Sequence, residues 1–469
     1  MRDWEAQRIA RGAGAEAIAI AAPGDLAGPA SVSVDSRAIV PGALFVGLRG
    51  ERVDGGEFAS SALAQGAWGV LVAPEHAGAA AALETGVVLA HPDPLVGLQS
   101  LARAWLARLR ADGARVVAIT GSTGKTSTKD ILTALLSKQV ATASSPANHN
   151  TEIGLPLAIL GAPAGTRALV LEMAMRGAGQ IAELTAIAEP EVGVIVNVGP
   201  VHLELLGTVE AVAAAKAELL AGLAPGASAV VPAGEPLLAP YLRADLRTLS
   251  FGAGGDFELV QGGEAGEARA AAAQVTIADR TSGERIALKP SFEQAHNLNN
   301  LLAAVAAARA LGITPDGEVN VRFSALRGER LRLPEGIVLI DDCYNANPMS
   351  MRAALDELAR SATGRRVAVL GDMLELGPRE RELHEEIGAY AARRGVQRLV
   401  TVGPLAAAMA AAFTAASNGA AGRQTRATAD AREAAAVLKE LLAPGDTVLV
   451  KGSRGVGLER VGAALAGRS

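Results

Sequence analysis

A short apolar strand that runs straight into a glycine-bearing polar loop and then into a helix leaves few folding options. Val116-Val117-Ala118-Ile119 is such a strand, followed by Thr120-Gly121-Ser122-Thr123-Gly124-Lys125-Thr126-Ser127. The apolar spacing from Lys129 to Leu136 predicts the helix. A strand apolar on both faces belongs to a parallel sheet covered by helices. Glycine lets the backbone wrap closely round phosphates, and the N–H groups of a helix start point at the anion. Lys125 can then reach the β- and γ-phosphates, while the Thr126 hydroxyl can ligate Mg²⁺. The full P-loop carries an earlier glycine where this chain has Ile119, so the loop is a shortened form. Nucleotide binding by Gly121, Ser122, Thr123, Gly124, Lys125, Thr126 and Ser127 is the expectation.

The 469 residues around this loop correspond to about three domains at roughly 150 residues each. Up to Pro92, short apolar runs such as Ser31–Val34 and Ala43–Val46 are punctuated by Gly and Pro, which predicts a small α/β or mostly β unit. A helix is expected beyond the breaker-rich His91–Pro94, where Leu95, Leu98, Leu101, Trp105 and Leu109 recur at helical spacing. Strands at 168–171 and 192–196 continue the central sheet to about residue 326. A hairpin excursion is expected where Gln274–Ile277 and Arg285–Leu288 flank Ser282-Gly283. From 327 onward, strands at 337–340, 366–370, 398–402 and 447–450 alternate with Ala-rich helices, predicting a smaller doubly wound domain. The expected domains are therefore 1–92, 93–326 and 327–469.

Several other segments end apolar strands, where ligands gather in parallel sheets. Glu172 closes Leu169-Val170-Leu171 and is either a second Mg²⁺ ligand facing Thr126 or an ordinary strand-end glutamate. His202 follows the strand that ends in Val194-Ile195-Val196, and a lone loop histidine is as often structural as a ligand. Lys216, within Ala213–Glu218, is cationic at its reference pKa of about 10.4 and cannot ligate a metal; by itself it reads as a solvated helix lysine. Asn297 and Asn300 share a helical face, suited to the N6/N7 edge of adenine or, for one of them, to an N-cap. In the third domain, Asp341-Asp342 and the loop Cys343–Pro348 stand at a strand end, as do Gly371–Gly377 and Lys451-Gly452-Ser453-Arg454. Lys451 and Arg454 read equally well as a solvated cationic edge.

Composition narrows the function classes. A formal net charge of −5 and 3% aromatic residues argue against nucleic acid as a partner. One cysteine, Cys343, rules out an intramolecular disulfide framework and fits a reducing compartment. Met1–Glu5 has mixed charge and no apolar run follows it, so no signal peptide is expected. No stretch approaches the roughly 18–20 apolar residues of a membrane span. A cytoplasmic monomer is the expectation.

Together these segments resemble the Mur ligases, the ATP-dependent amide-bond-forming enzymes of peptidoglycan precursor assembly. The resemblance covers nearly the whole chain and rests on the Gly121–Ser127 loop, Glu172, His202, His296–Asn300, Arg330 and Asp342. Asp35-Ser36-Arg37, Phe45–Arg52, Asn150-Thr151-Glu152-Ile153-Gly154 and Asp342–Pro348 point to the branch that adds a dipeptide. The resemblance implies a three-domain α/β fold: a small N-terminal α/β substrate domain, a central P-loop-type ATPase domain on a parallel sheet, and a C-terminal Rossmann-like domain. It implies ATP and two Mg²⁺ ions as cofactors, and UDP-N-acetylmuramoyl-tripeptide and D-alanyl-D-alanine as substrates, joined through an acyl phosphate. Lys125, Glu172, His202 and Lys216 would be the catalytic set. Thr126, Glu172, His202 and a carbamylated Lys216 would be the metal ligands. Asn297, Asn300, Arg330 (preferred over Arg327) and Asp342 would meet the nucleotide, and Ser36, Arg37, Asn150, Thr151, Tyr344, Asn345 and Asn347 the other substrates. The rival readings are another amino-acid-adding Mur ligase, a folylpolyglutamate synthase-like ligase, and a P-loop switch that uses ATP only for conformational control.

Overall fold

The computed structural model describes residues 1–21, 27–260, 274–418 and 422–467. Among the described residues the strands form three sheets, of five, ten and six strands, each flanked by helices. The class is α/β.

The first sheet runs Glu16–Ala21, Gly86–Ala90, Gly69–Val72, Ala43–Val46, Ser31–Ser33. Its strands are parallel except for the antiparallel edge strand Glu16–Ala21. Asp93 then caps the long helix Pro94–Ala111 by accepting from the Leu95 and Val96 amides at 2.9 and 3.3 Å. Proline at the first helical position helps start it. Its inner face buries Leu98, Leu101, Trp105 and Leu109, as the spacing predicts. Trp105 meets Trp4 edge-to-face at 5.3 Å and donates its indole N–H to the Ala162 carbonyl at 3.0 Å. The chain's first residues and the central unit thus share one apolar core.

In the central sheet, Arg115–Thr120 lies between Ala168–Glu172 and Val192–Ile195, all parallel. Successive strands therefore leave Arg115–Thr120 in opposite directions. Such a switch point opens a crevice at the strands' carboxyl ends. Side chains alternate as a pleat requires. Val117, Ile119, Val170 and Val194 face the helices Lys125–Ser137 and Ala295–Ala310, while Val116, Ala118, Leu169 and Leu171 face the other core. The predicted hairpin is present as Val275–Asp279 and Glu284–Pro290. It does not leave the sheet but extends it antiparallel beyond Phe257–Leu259.

The third sheet runs Glu329–Arg332, Val338–Asp341, Thr447–Lys451, Arg366–Gly371, Arg398–Val402, Gln424–Thr428. It is parallel but for its first strand. The carboxyl ends of Val338–Asp341, Thr447–Lys451 and Arg366–Gly371 contribute residues to the same cleft as the central crevice. No helix among the described residues is long and apolar enough to cross a membrane.

Candidate active site

The cleft encloses a cavity of about 1370 Å³ lined from both the central and the C-terminal sheet. Its floor is the glycine loop. Gly124 sits at φ +77°, and a Cβ there would lie 2.6 Å from Asn300 Oδ1. The loop therefore needs glycine both for its left-handed backbone and for the approach of the helix that carries Asn300.

The loop is held before any ligand arrives. Asn197, just past strand Val192–Ile195, accepts from the Thr123 amide at 2.9 Å and donates to Thr123 Oγ1 at 2.9 Å. Ser122 Oγ donates to the Gly199 carbonyl at 3.1 Å. No side chain caps the start of the helix Lys125–Ser137, leaving its first amides free for an anion. Lys125 Nζ folds back to donate to the Gly121 carbonyl at 2.8 Å. Burial lowers the Lys125 pKa, opposed by Glu172 and reinforced by Arg327.

Beside this loop, the buried Thr126 hydroxyl donates to Glu172 Oε2 at 2.7 Å, and Asn150 Nδ2 donates to Glu172 Oε1 at 2.8 Å. The loop and the acidic strand tip, 46 residues apart in sequence, are in direct contact. A hydroxyl and a carboxylate converging at the cleft wall form the oxygen donor set a hard divalent cation prefers. His202 also lines the cleft, and its Nδ1 lies 2.5 Å from Glu375 Oε2 of the C-terminal sheet's loop. Burial lowers the His202 pKa despite Glu375, and the charges of Lys125 and Lys216 act in the same direction as burial.

Lys216 is only 2% exposed, so it is not the solvated helix lysine its sequence suggests when read alone. Among the described residues no hydrogen bond or ion pair reaches its Nζ. Burial first, and the Lys125 ammonium second, push its pKa well below the ordinary lysine range.

On the opposite wall, Asp342 pairs with Lys451 at 2.7 Å, and Lys451 Nζ also donates to the Asn345 carbonyl at 3.0 Å. Lys451 is 2% exposed, so the solvated-edge reading does not hold for it. Tyr344, Asn345 and Asn347 line the cleft, as do Asn150 and Thr151. The Asn347 side chain is committed to capping the helix Pro348–Ser361, in a reciprocal box with Ser350. Asn297 Oδ1 accepts from Asn300 Nδ2 at 3.2 Å, and both line the cavity. Arg330 reaches the cleft but is bound to Glu357 at 2.6 Å. Arg327 stacks 4.2 Å over the Tyr344 ring, with its Nε buried and unpartnered.

Gly121 and Lys216 are not among the residues that line the cavity. Ser36 and Arg37 lie on the first sheet's unit, outside it, where Arg37 is exposed and pairs with Asp35 at 2.9 Å. The sequence marks the strand-end segments that hold Asn197, Glu375 and Lys451 but places none of the three in the site, and leaves Lys451 equally readable as a solvated cationic edge. Asn197 and Lys451 stand at strand ends, which is the one signal that marks them.

Residues 119–308 match the Mur ligase middle domain, residues 326–454 the Mur ligase glutamate ligase domain, and residues 30–152 the Mur ligase family catalytic domain. The chain is 34% identical over 439 residues to the UDP-N-acetylmuramoyl-tripeptide–D-alanyl-D-alanine ligase of Bacillus subtilis, covering 92% of each. It is 32% identical to the enzyme of that name from Escherichia coli, covering 93% of each. Among solved structures, MurF from Acinetobacter baumannii superposes with a TM-score of 0.82 at 27% identity over 99% of both chains. The MurF ligase of Thermotoga maritima in complex with ADP superposes with a TM-score of 0.77 at 30% identity, over 93% of this chain and 97% of that one. With its three sheets, its nucleotide loop and these matches along nearly its whole length, the chain belongs to the Mur ligase family.

Proposed function

We propose that the protein joins D-alanyl-D-alanine to the terminal carboxylate of UDP-N-acetylmuramoyl-tripeptide, consuming ATP through an acyl phosphate. The observation that carries this reading is the Thr126–Glu172 contact beside Lys125, in a cleft walled by a second sheet. The relatives' activity is that of an ATP-dependent ligase, and this chain is such an enzyme. Domains at 1–92, 93–326 and 327–469 fit this division of labour. The first would hold the UDP end near Ser36 and Arg37, the second ATP, and the third the incoming amine.

The residues fit two Mg²⁺ ions, with Thr126 and Glu172 offering oxygens, His202 a nitrogen, and Lys216 an anionic oxygen once carbamylated. The desolvated Lys216 supports carbamylation, because only a neutral amine adds to CO₂, giving N–COO⁻ and one released proton. When bound, the ions supply positive charge that lets two anionic reactants approach.

The tripeptide carboxylate attacks the γ-phosphorus and ADP leaves. Lys125, released from Gly121, neutralises the charge that develops on the transferred group. The dipeptide amine then attacks the acyl carbon, loses a proton and expels phosphate. The Tyr344–Asn347 loop, held by Lys451 at Asn345, faces the cavity where that amine must be positioned. Asn297 and Asn300 present amides to the nucleotide base, and Arg330 and Asp342 close on the nucleotide from the third sheet.

Phosphate release should require both UDP-muramoyl-tripeptide and dipeptide. ATP hydrolysis indifferent to both would support a conformational switch instead. Asp342→Ala should raise the KM for ATP and slow turnover without unfolding the chain, since Lys451 keeps the Asn345 carbonyl as an acceptor. Steady-state kinetics alongside thermal melting checks this, and an unchanged KM and rate would remove Asp342 from the site.

A further inference from the structure

The loop between strand Arg366–Gly371 and the helix Glu380–Arg393 crosses from the third sheet to the central one and ends on a site residue. Its base is anchored at home. The Met373 amide donates to Nε2 of the fully buried His384 at 2.9 Å, and the Leu374 amide to Ser453 Oγ at 2.9 Å. Its tip is anchored abroad. Glu375 Oε2 meets His202 Nδ1 at 2.5 Å, and the Glu375 carbonyl accepts from the Glu204 amide at 3.3 Å. Gly377, at φ +61°, lies so close that a Cβ would sit 3.1 Å from the Glu204 backbone.

Both partners hold backbone conformations that residues other than glycine rarely adopt: His202 at φ +54° and Glu375 at φ +64°. Strain at both ends of one contact between two sheets marks a geometry that the fold maintains for a purpose. With Nδ1–H donated to Glu375, the neutral imidazole keeps its lone pair on Nε2. Histidines that ligate metals characteristically pass their other N–H to a carboxylate in this way.

We propose that Glu375 is a positioning residue: from the third sheet it fixes the tautomer and orientation of His202, so that the central metal site is complete only when the two sheets are docked. This rests on the ligase reading above, with His202 as a metal ligand. It also gives domain docking a chemical consequence, because the carboxylate arrives with the sheet that carries the Tyr344–Asn347 loop.

Two variants of the full chain test it. Glu375→Gly deletes the side chain without straining the left-handed backbone, and Glu375→Gln keeps an acceptor for Nδ1–H. In Glu375→Gly, affinity for Mn²⁺ alone should fall by about 10–100-fold, and kcat should fall comparably with little change in the KM for ATP. Nitrogen NMR should report loss of the Nδ1–H tautomer of His202. Glu375→Gln should recover most of the Mn²⁺ affinity and the tautomer. Wild-type Mn²⁺ affinity and an unchanged His202 tautomer in Glu375→Gly would overturn the proposal. If wild-type phosphate release ignores both substrates, the ligase reading fails, and the tautomer and Mn²⁺ measurements still decide the role of Glu375.

Discussion

Lys125→Ala should abolish turnover, with a loss on the scale of about 10³–10⁵-fold that single cationic groups contribute to phosphoryl transfer. The lysine heads the helix whose first amides face the cleft, and no other cation on that loop can substitute for it. Its one hydrogen-bond partner among the described residues is the Gly121 carbonyl, which its removal would free to solvent. The thermal midpoint should therefore barely move, separating a chemical loss from a folding one. Substrate-dependent phosphate release and calorimetry on the same preparation check both halves. Near-normal turnover would refute the assignment.

Lys216→Ala should be nearly as damaging, on the order of 100-fold or more, though Lys216 is not among the residues that line the cavity. The side chain is buried and its ammonium form is disfavoured, which makes a plain structural cation a costly occupant of that position. A carbamate would account for the burial, because it needs the neutral amine to form and would place a negative charge where the Lys125 ammonium acts on Lys216. Short carboxylic acids added to Lys216→Ala should restore part of the rate. Isotopically labelled bicarbonate should yield a carbamate signal in the wild-type protein and none in the variant. A fully active Lys216→Ala, or a ligand-bound crystal structure with an unmodified lysine remote from any metal, would reject the idea.

Much of this site is legible in the chain because parallel sheets place ligands at strand ends, and buried strands announce themselves as unbroken apolar runs. Arg115–Thr120 and Ala168–Glu172 are such strands, so the loop at 121–127 follows from them directly, while for Glu172 they give the strand-end position and leave its role open. Edge strands carry no such signature. Glu329–Arg332, with sequence ERLR and mostly exposed, and Gln424–Thr428, exposed along most of its length, have too little apolar content to stand out. Contacts across sheets are hidden for another reason. Glu375 is 173 residues from His202, and only the docked third sheet brings them together. Lys216 reads as a surface residue because helical spacing among alanines does not reveal which face is inward. Its burial becomes visible only once the helix Val209–Ala221 is set against the central sheet. Arg330 follows from the family pattern, yet Arg327, three residues earlier, is the arginine whose Nε is left unpaired beside the cleft.

All three tryptophans of the chain fall within its first 105 residues. Trp4 and Trp105 are locked edge-to-face in the shared core, and Trp68 donates its indole N–H to the Ala27 carbonyl. Tryptophan emission, excited at wavelengths the tyrosines do not absorb, therefore reports the seam between the opening unit and the nucleotide-holding body. It is blind to the sheet that carries Asp342 and Glu375. An unfolding curve read by that emission alone would record one end of the molecule loosening and leave events at the other end unseen.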